Sequence, residues 1–347
     1  MLKIGTIGTS WITEEFLRAA KLTNLYQLHG VYSRSVDSGK DLATVFQATY
    51  YTDELNNLLF DPEIDVIYIA SPNSLHYAQA RRVIKAGKHV IIEKPIASSV
   101  AQLKDLHHLA SEHGVFVFEG AAHIHNRNYQ RLKQLVRSKM SEKTQPFYGA
   151  NFNMGQYSSR YLRYLDDMEK GKTGPNIFEL DMSGGTLMDL GVYPIYVAMD
   201  LFGTPSSVRY LAQKGPNDVD LFGHIHLSYE NFAVSIFISK AVHSELTSEI
   251  YIDDETLVIH EISRISRVDL INANAEATTL IDYKPENPLY DELMSFAEVM
   301  NNPDNQHMQI VYEDWKQLSL QVTQTMELLR RSAKISINTE LNEDTNA

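Results

Sequence analysis

Glu93-Lys94-Pro95 sets a charged pair directly after the apolar run His89-Val90-Ile91-Ile92. Such a run reads as a buried strand, and in open α/β sheets ligands lie outside the carboxyl ends of the strands. Lys94 then sits where a ligand would meet it, although a solvated loop reads the same way. Gly8-Thr9-Ser10 follows another apolar strand, at a place where helix N-terminal amides can face an anion. Against the phosphate-binding fingerprint G-x-G-x-x-G only the first glycine is present; Ser10 and Thr13 replace the others. The Ser10 hydroxyl can donate to a phosphate or crowd it. The second strand ends in Tyr32-Ser33-Arg34-Ser35, with no acidic residue to hold a ribose diol. Arg34 has the geometry for a 2′-phosphate; an ordinary solvated arginine is the alternative. Asp189 and Tyr193 are four residues apart, which on a helix gives them one face. Gly184-Gly185 before them leaves room for a ligand or makes a tight turn.

These residues need a scaffold, and the first 120 or so alternate strand and helix. Strands are expected at Leu2 to Ile7, Tyr26 to Tyr32, Asp65 to Ala70, His89 to Ile92 and Val115 to Phe118. Helices are expected at Thr13 to Leu22, Val36 to Gln47, Ser74 to Ala86 and Val100 to His113. Short apolar strands alternating with helices imply a parallel sheet covered on both faces. Further on, strands at Val208 to Ala212, His224 to Tyr229, Ala233 to Ser239, Ser248 to Ile252 and Thr256 to His260 follow one another directly. That succession predicts an α+β domain with an antiparallel sheet, with helices at Leu289 to Met300 and Glu313 to Arg331. The expected division is 1–122, 123–337 and a polar tail, 338–347. Met154 to Ser183 reads as a long polar segment with a helix near Arg160 to Lys170, a flap or a subunit contact.

With 44% hydrophobic and 22% charged residues the composition is that of a globular chain. The absence of cysteine excludes disulfides, thiolate metal sites and cysteine nucleophiles, and fits a reducing cytoplasm. A net charge of -13 argues against nucleic acid as a partner. No run reaches the ~18 apolar residues of a membrane span, and the N-terminus lacks a signal-peptide layout. His224 and His226 would share a strand face, as would His123 and His125 if extended, but no carboxylate completes a metal site.

Ser71-Pro72-Asn73-Ser74-Leu75-His76, then Ala86-Gly87-Lys88-His89-Val90-Ile91-Ile92-Glu93-Lys94-Pro95, resembles the signature of the Gfo/Idh/MocA oxidoreductases. Gly184 to Pro194 and Tyr290-Asp291-Glu292-Leu293 with Phe296 agree, so the resemblance covers nearly the whole chain. It implies a Rossmann domain followed by a domain whose open, mostly antiparallel sheet commonly pairs subunits, as a homodimer or homotetramer. Where many members carry histidine this chain has Tyr193. In that it is similar to glucose-fructose oxidoreductase and dimeric dihydrodiol dehydrogenase, in which the tyrosine is the proposed acid/base and the lysine its support.

Carried over, the resemblance implies Tyr193 as acid/base, Lys94 as its electrostatic partner and Asp189 as the group orienting the substrate hydroxyl or Lys94. A free phenol titrates near 10 and a nearby ammonium lowers that value. Gly8, Thr9, Ser10, Ser33, Arg34, Ser71, Asn73, His76, Glu93 and Lys94 are the cofactor-side candidates, His76 either reaching the cofactor or capping its helix. The expected cofactor is NADP, with NAD possible, and the expected substrate a sugar, polyol or related diol. After Glu119-Gly120 the dihydrodiol-type members carry arginine and proline; this chain reads Ala121-Ala122-His123, so their substrate does not transfer. The competing expectation is a dinucleotide-binding sensor without turnover, for which the altered glycine turn argues and the trio Lys94, Asp189 and Tyr193 argues against.

Overall fold

The computed structural model describes residues 1–141 and 146–337 and divides the chain into two compact units. The predicted polar tail, 338–347, lies outside the described residues. The first unit comprises Met1–Ala122 with Glu286–Leu320, and the second His123–Pro285 with the segment that begins at Gln321.

In the first unit β1 (Leu2–Ile7), α1 (Trp11–Thr23), β2 (Tyr26–Tyr32), α2 (Val36–Phe46), β3 (Tyr50–Thr52), α3 (Leu55–Leu59), β4 (Val66–Ile69), α4 (Asn73–Lys85), β5 (His89–Glu93), α5 (Val100–His113) and β6 (Val117–Gly120) follow in order. The six strands are all parallel, in the order β3-β2-β1-β4-β5-β6. That is the doubly wound arrangement, with its reversal between β1 and β4. Alternation along the strands supplies two cores. Val66 and Tyr68 of β4 face a cluster with Phe16 and Ala20 of α1, whereas Ile67 and Ile69 face one with Val83, Leu103 and Leu106 of α4 and α5.

β3 and α3 go unforeseen because they are too short to show a period. The segment Glu286–Leu320 returns to this unit, and its packing says why. Leu293, Phe296 and Ala297 join the cluster of α1, and Phe296 stacks on Phe118 with ring centroids 4.5 Å apart. Tyr312 donates its hydroxyl to Val117 O and accepts from Val117 N–H at 3.0 Å.

The second unit contains α6 (Ala122–His125), α7 (Arg127–Ser141), β7 (Phe147–Gly155), α8 (Tyr161–Glu169), α9 (Val192–Phe202), β8 (Ser207–Lys214), β9 (Asp220–Ser228), β10 (Ala233–Ser239), β11 (Ser248–Ile252), β12 (Glu255–His260), β13 (Arg267–Ile271) and β14 (Ala277–Asp282). Two helices follow: α10 (Tyr290–Asn301) lies within the segment that returns to the first unit, and α11 (Gln306–Ser332) runs on into the second. The sheet has eight strands in the order β14-β13-β12-β11-β7-β10-β9-β8, antiparallel except for the β7–β10 pair. α9 is apolar almost all round and correspondingly buried from Val192 to Leu201 but for Tyr193 and Asp200.

β7 holds the middle of the sheet although its sequence, rich in Gly and Asn, hides the alternation of a strand. Gly149 explains itself: at φ +120° any Cβ would come within 2.3 Å of Ala233 O on β10. His123 and His125 lie on the helical turn α6 and not on an extended segment, which corrects the expectation of a shared strand face. Met154 to Ser183 is also more structured than its polarity implies. Besides α8 it has two single 3₁₀ turns, and Tyr164 and Phe178 bury themselves in a cluster with Val219 and Leu221.

Candidate active site

In the first unit the candidate residues gather on the loops leaving β1, β2, β4 and β5, the carboxyl side of the sheet. Gly8 has φ +107°, and a Cβ there would stand 2.7 Å from Ala70 O, so the loops after β1 and β4 approach as only a glycine allows. Ser10 is the N-cap of α1, but its hydroxyl makes no capping bond and does not compete for the first-turn amides. Thr13, at the third fingerprint position, is fully buried, and its hydroxyl has no partner among the described residues. The helix therefore packs closely with a threonine where a glycine is usual.

Ser33 is buried and accepts from Ser35 N–H at 3.2 Å, while Ser35 caps α2. Arg34 between them is exposed, and no partner for it is found among the described residues. Glycine loop, uncapped helix start and open guanidinium together fit a dinucleotide carrying an extra phosphate.

After β4, Ser71 donates its hydroxyl to Gln79 Oε1 at 2.7 Å, and Asn73 opens α4. His76 differs from expectation. Its ring is 1% exposed, with Nε2 2.9 Å from Ser71 O and Nδ1 3.0 Å from Pro95 O. Each ring nitrogen lies within hydrogen-bond distance of a protein carbonyl, to one of which the neutral ring donates, so His76 braces the β4 loop against the Glu93-Lys94-Pro95 loop. Burial holds its pKa below the usual imidazole value.

Glu93 accepts from the Tyr68 hydroxyl at 2.6 Å. Burial raises its pKa, against the pull of Tyr68 and of Lys94. Lys94 is half-buried beside it. Glu292, from α10, is 2% exposed, and its Oε1 has no partner among the described residues; burial, reinforced by Glu93 and Glu119, raises its pKa well above the usual carboxylate value.

In the second unit Leu187–Gly191 winds as a π-helical turn that runs directly into α9. Such turns are rare and frequent at functional sites. From Ser183 to Met199 every residue is buried except Asp189 and Tyr193, which are half-buried. Tyr193 is steadied by His123, whose ring meets it edge-on at 5.0 Å and whose Nε2–H donates to Tyr193 O at 3.2 Å. An ammonium does meet Asp189, that of Lys240, which follows β10 and is 2% exposed. Gly184 and Gly185 make a tight turn against the protein and leave no room for a ligand. A Cβ on Gly185, at φ +108°, would lie 2.1 Å from Asp220 Oδ1. Asp220 is buried and accepts from Leu187 N–H at 2.6 Å and Tyr210 O–H at 2.8 Å.

Lys240 and Asp220 are the residues that sequence reasoning misses. Lys240 had a usable signal, a lysine straight after an apolar strand, the same cue that marks Lys94. Among the described residues no group of three or more metal-ligating side chains occurs, and no helix is long and apolar enough to cross a membrane.

Residues 2–121 match the oxidoreductase family with an NAD-binding Rossmann fold, and residues 153–258 the GFO/IDH/MocA C-terminal domain. The chain is 34% identical over 301 residues to YgjR of Escherichia coli K12, an uncharacterized oxidoreductase, covering 87% of this chain and 89% of that one. It is 32% identical over 300 residues to the scyllo-inositol 2-dehydrogenase (NADP(+)) IolU of Bacillus subtilis 168, covering 86% and 88%. Among solved structures, KijD10, a 3-ketoreductase from Actinomadura kijaniata in complex with NADP and TDP-benzene, superposes with a TM-score of 0.80 at 19% identity over 95% of this chain and 97% of that one. The likeness at that identity is one of fold, and the family follows from the sequence matches. Rossmann unit, antiparallel-sheet unit and both family signatures make this chain an NAD(P)-binding oxidoreductase of the Gfo/Idh/MocA family.

Proposed function

We propose that the chain is an NADP-preferring dehydrogenase or reductase of a sugar, polyol or related diol. One observation carries the reading: along a helical stretch otherwise buried, the two side chains that stay half-exposed are a carboxylate and a phenol four residues apart. A packed core helix has no reason for that pair. Nicotinamide, when bound, accepts or gives the hydride at the carbinol carbon. Tyr193 takes the hydroxyl proton in oxidation and returns it in reduction. Lys94 supplies the positive charge that favours the phenolate, and Asp189 accepts a hydrogen bond from the substrate hydroxyl. Gly8, Thr9 and Ser10 with the first amides of α1 hold the pyrophosphate. Arg34 and Ser33 take the 2′-phosphate, Ser71 and Asn73 line the cofactor side, and Glu93 orients Lys94. The names of IolU and KijD10 support NADP and a polyol or sugar as the classes to try first.

Leu211, His224 and Phe237 form one cross-strand row on the open face of the second sheet, with Leu211 57% exposed. We propose that this face joins copies of the chain into a homodimer or homotetramer, and that the protein works in the cytoplasm.

The test is a fluorescence titration with NADPH and NADH side by side, then a turnover screen of inositols, hexoses and their keto forms. Tight NADPH binding and multiple turnovers are expected. Binding without turnover would mean a sensor, and binding of neither nucleotide would remove the enzymatic reading.

A further inference from the structure

Lys240 carries an ammonium into the interior at 2% exposure, a costly placement for a lone cation. Its backbone is fixed on both sides. The N–H donates to Leu221 O at 2.9 Å, and the carbonyl accepts from Ser158 N–H at 2.9 Å. Its Nζ lies 5.3 Å from the centroid of the buried Phe178 ring and donates to Asp189 Oδ2. The neighbouring carboxylate, Asp220, has its Oδ2 committed to Leu187 N–H and the Tyr210 hydroxyl. Asp189, by contrast, keeps 32% of its side chain exposed. The buried charge thus reaches the open face of the helical turn through Asp189. Three parts of the chain converge on that contact: the segment holding Phe178, the π-helical turn and the end of β10.

The geometry points to Lys240 as a positioning residue for the proposed reaction, its buried ammonium keeping Asp189 ionised and in place four residues before Tyr193. This rests on the reading of Asp189 and Tyr193 as the reacting pair. An ionised Asp189 accepts from a substrate hydroxyl, whereas a protonated one would compete as a donor. An opposite charge at contact distance favours the ionised form. Lys240 is 2% exposed and its ammonium bonds Asp189, the half-exposed carboxylate, so its effect on the reaction is expected through Asp189; its charge also acts on the buried Asp220, and the double variant separates the two.

The experiment uses the full-length protein, NADP and the fastest sugar or polyol from the screen above. It compares Lys240→Met, Lys240→Gln and Lys240→Arg with Asp189→Asn and with the double variant Lys240→Met/Asp189→Asn. Lys240→Met should lower kcat by about 10²-fold, leave KM for NADP unchanged, and move the acidic limb of the kcat profile up by about 1 pH unit. Lys240→Gln keeps a donor without charge and should show the same shift should the methionine variant fail to fold. Lys240→Arg should restore part of the rate. The double variant should be no slower than Asp189→Asn alone. A folded Lys240→Met or Lys240→Gln with wild-type kcat and profile overturns the inference, as does a double variant whose losses multiply. Asp189→Asn at full rate beside an inactive Tyr193→Phe would remove Asp189 from the reading and Lys240 with it. No turnover by the wild type across the screen would remove the whole reading.

Discussion

The two units hold their candidate residues by opposite means. In the first, the site is made by backbone: a glycine loop closed against Ala70 O, a helix start left uncapped, and a histidine bridging two carbonyls. In the second, it is made by buried charge: Lys240 and Asp220 behind a π-helical turn that leaves Asp189 and Tyr193 outward. A backbone site needs the right residue at one place in the chain. A charge network needs partners from distant places, and fails as a unit when one is lost.

The largest expected effect separates chemistry from scaffold. Tyr193→Phe removes the proton-transferring hydroxyl and little else, and should reduce kcat by about 10²–10⁴-fold with an unchanged melting temperature. Lys94→Ala should cost as much in kcat through the other unit. Steady-state kinetics beside thermal melts would show it. Near-normal turnover in both folded variants would end the proposed mechanism.

Next in size is a glycine pair that tests how tightly the charge network is packed. At Gly185→Ala the new methyl meets the Asp220 carboxylate at 2.1 Å with φ +108°. At Gly87→Ala, φ +73°, nothing lies within 4 Å. The first should cost about 3 kcal/mol or more, from strain plus a displaced buried carboxylate. The second should cost about 1 kcal/mol for the backbone conformation alone. Equal losses in urea unfolding would mean that Asp220 moves aside freely and that the second site is less rigid than its contacts imply.

The same contrast governs what the sequence made legible. β1, β2, β5 and α5 read nearly residue for residue, because a parallel sheet covered on both faces leaves apolar runs bounded by Gly, Pro and Ser. Gly8, Arg34 and Lys94 could be placed from those strand ends alone. Tyr193 needed the family resemblance, since phenols on apolar helices are common. The Lys240–Asp189 pair spans 51 residues, and no local pattern joins its members. β7 was hidden by glycines and asparagines that admit a close strand approach and bond neighbouring segments, and the role of α10 by its distance in sequence from the strands it covers.

A smaller effect sharpens the backbone side. Arg34→Ala should weaken NADPH by about 10–100-fold, the value of a charge-assisted contact of roughly 1.5–3 kcal/mol, and leave NADH unchanged. Competitive titrations at fixed ionic strength would decide it. Equal weakening of both nucleotides would place Arg34 on a shared phosphate instead of the 2′-phosphate.

The smallest effect is one of pH, and it asks which unit gives way first in acid. His125 is buried in the second unit, and burial, with Lys133 adding to it, pushes its pKa down to about 3. His107, half-buried in the first, is pushed down to about 4 by burial and by Lys316. Both rings are neutral when folded and take a proton near pH 6.5 when unfolded. The unfolded chain therefore binds more protons, and stability is lost as pH falls below about 6.5, by at most ~1.4 kcal/mol per pH unit for each ring. His125→Gln and His107→Gln should each flatten the decline in urea stability between pH 7 and pH 5. With two units a single transition need not hold. If the acid transition splits, the variant that steadies the earlier step names the unit that opens first. Between pH 7 and pH 5 both folded rings are neutral and contribute the same slope, so the order of opening is read from the variants and not from the size of the shifts. A His125→Gln slope identical to wild type would show that the ring is already solvated before the unit unfolds.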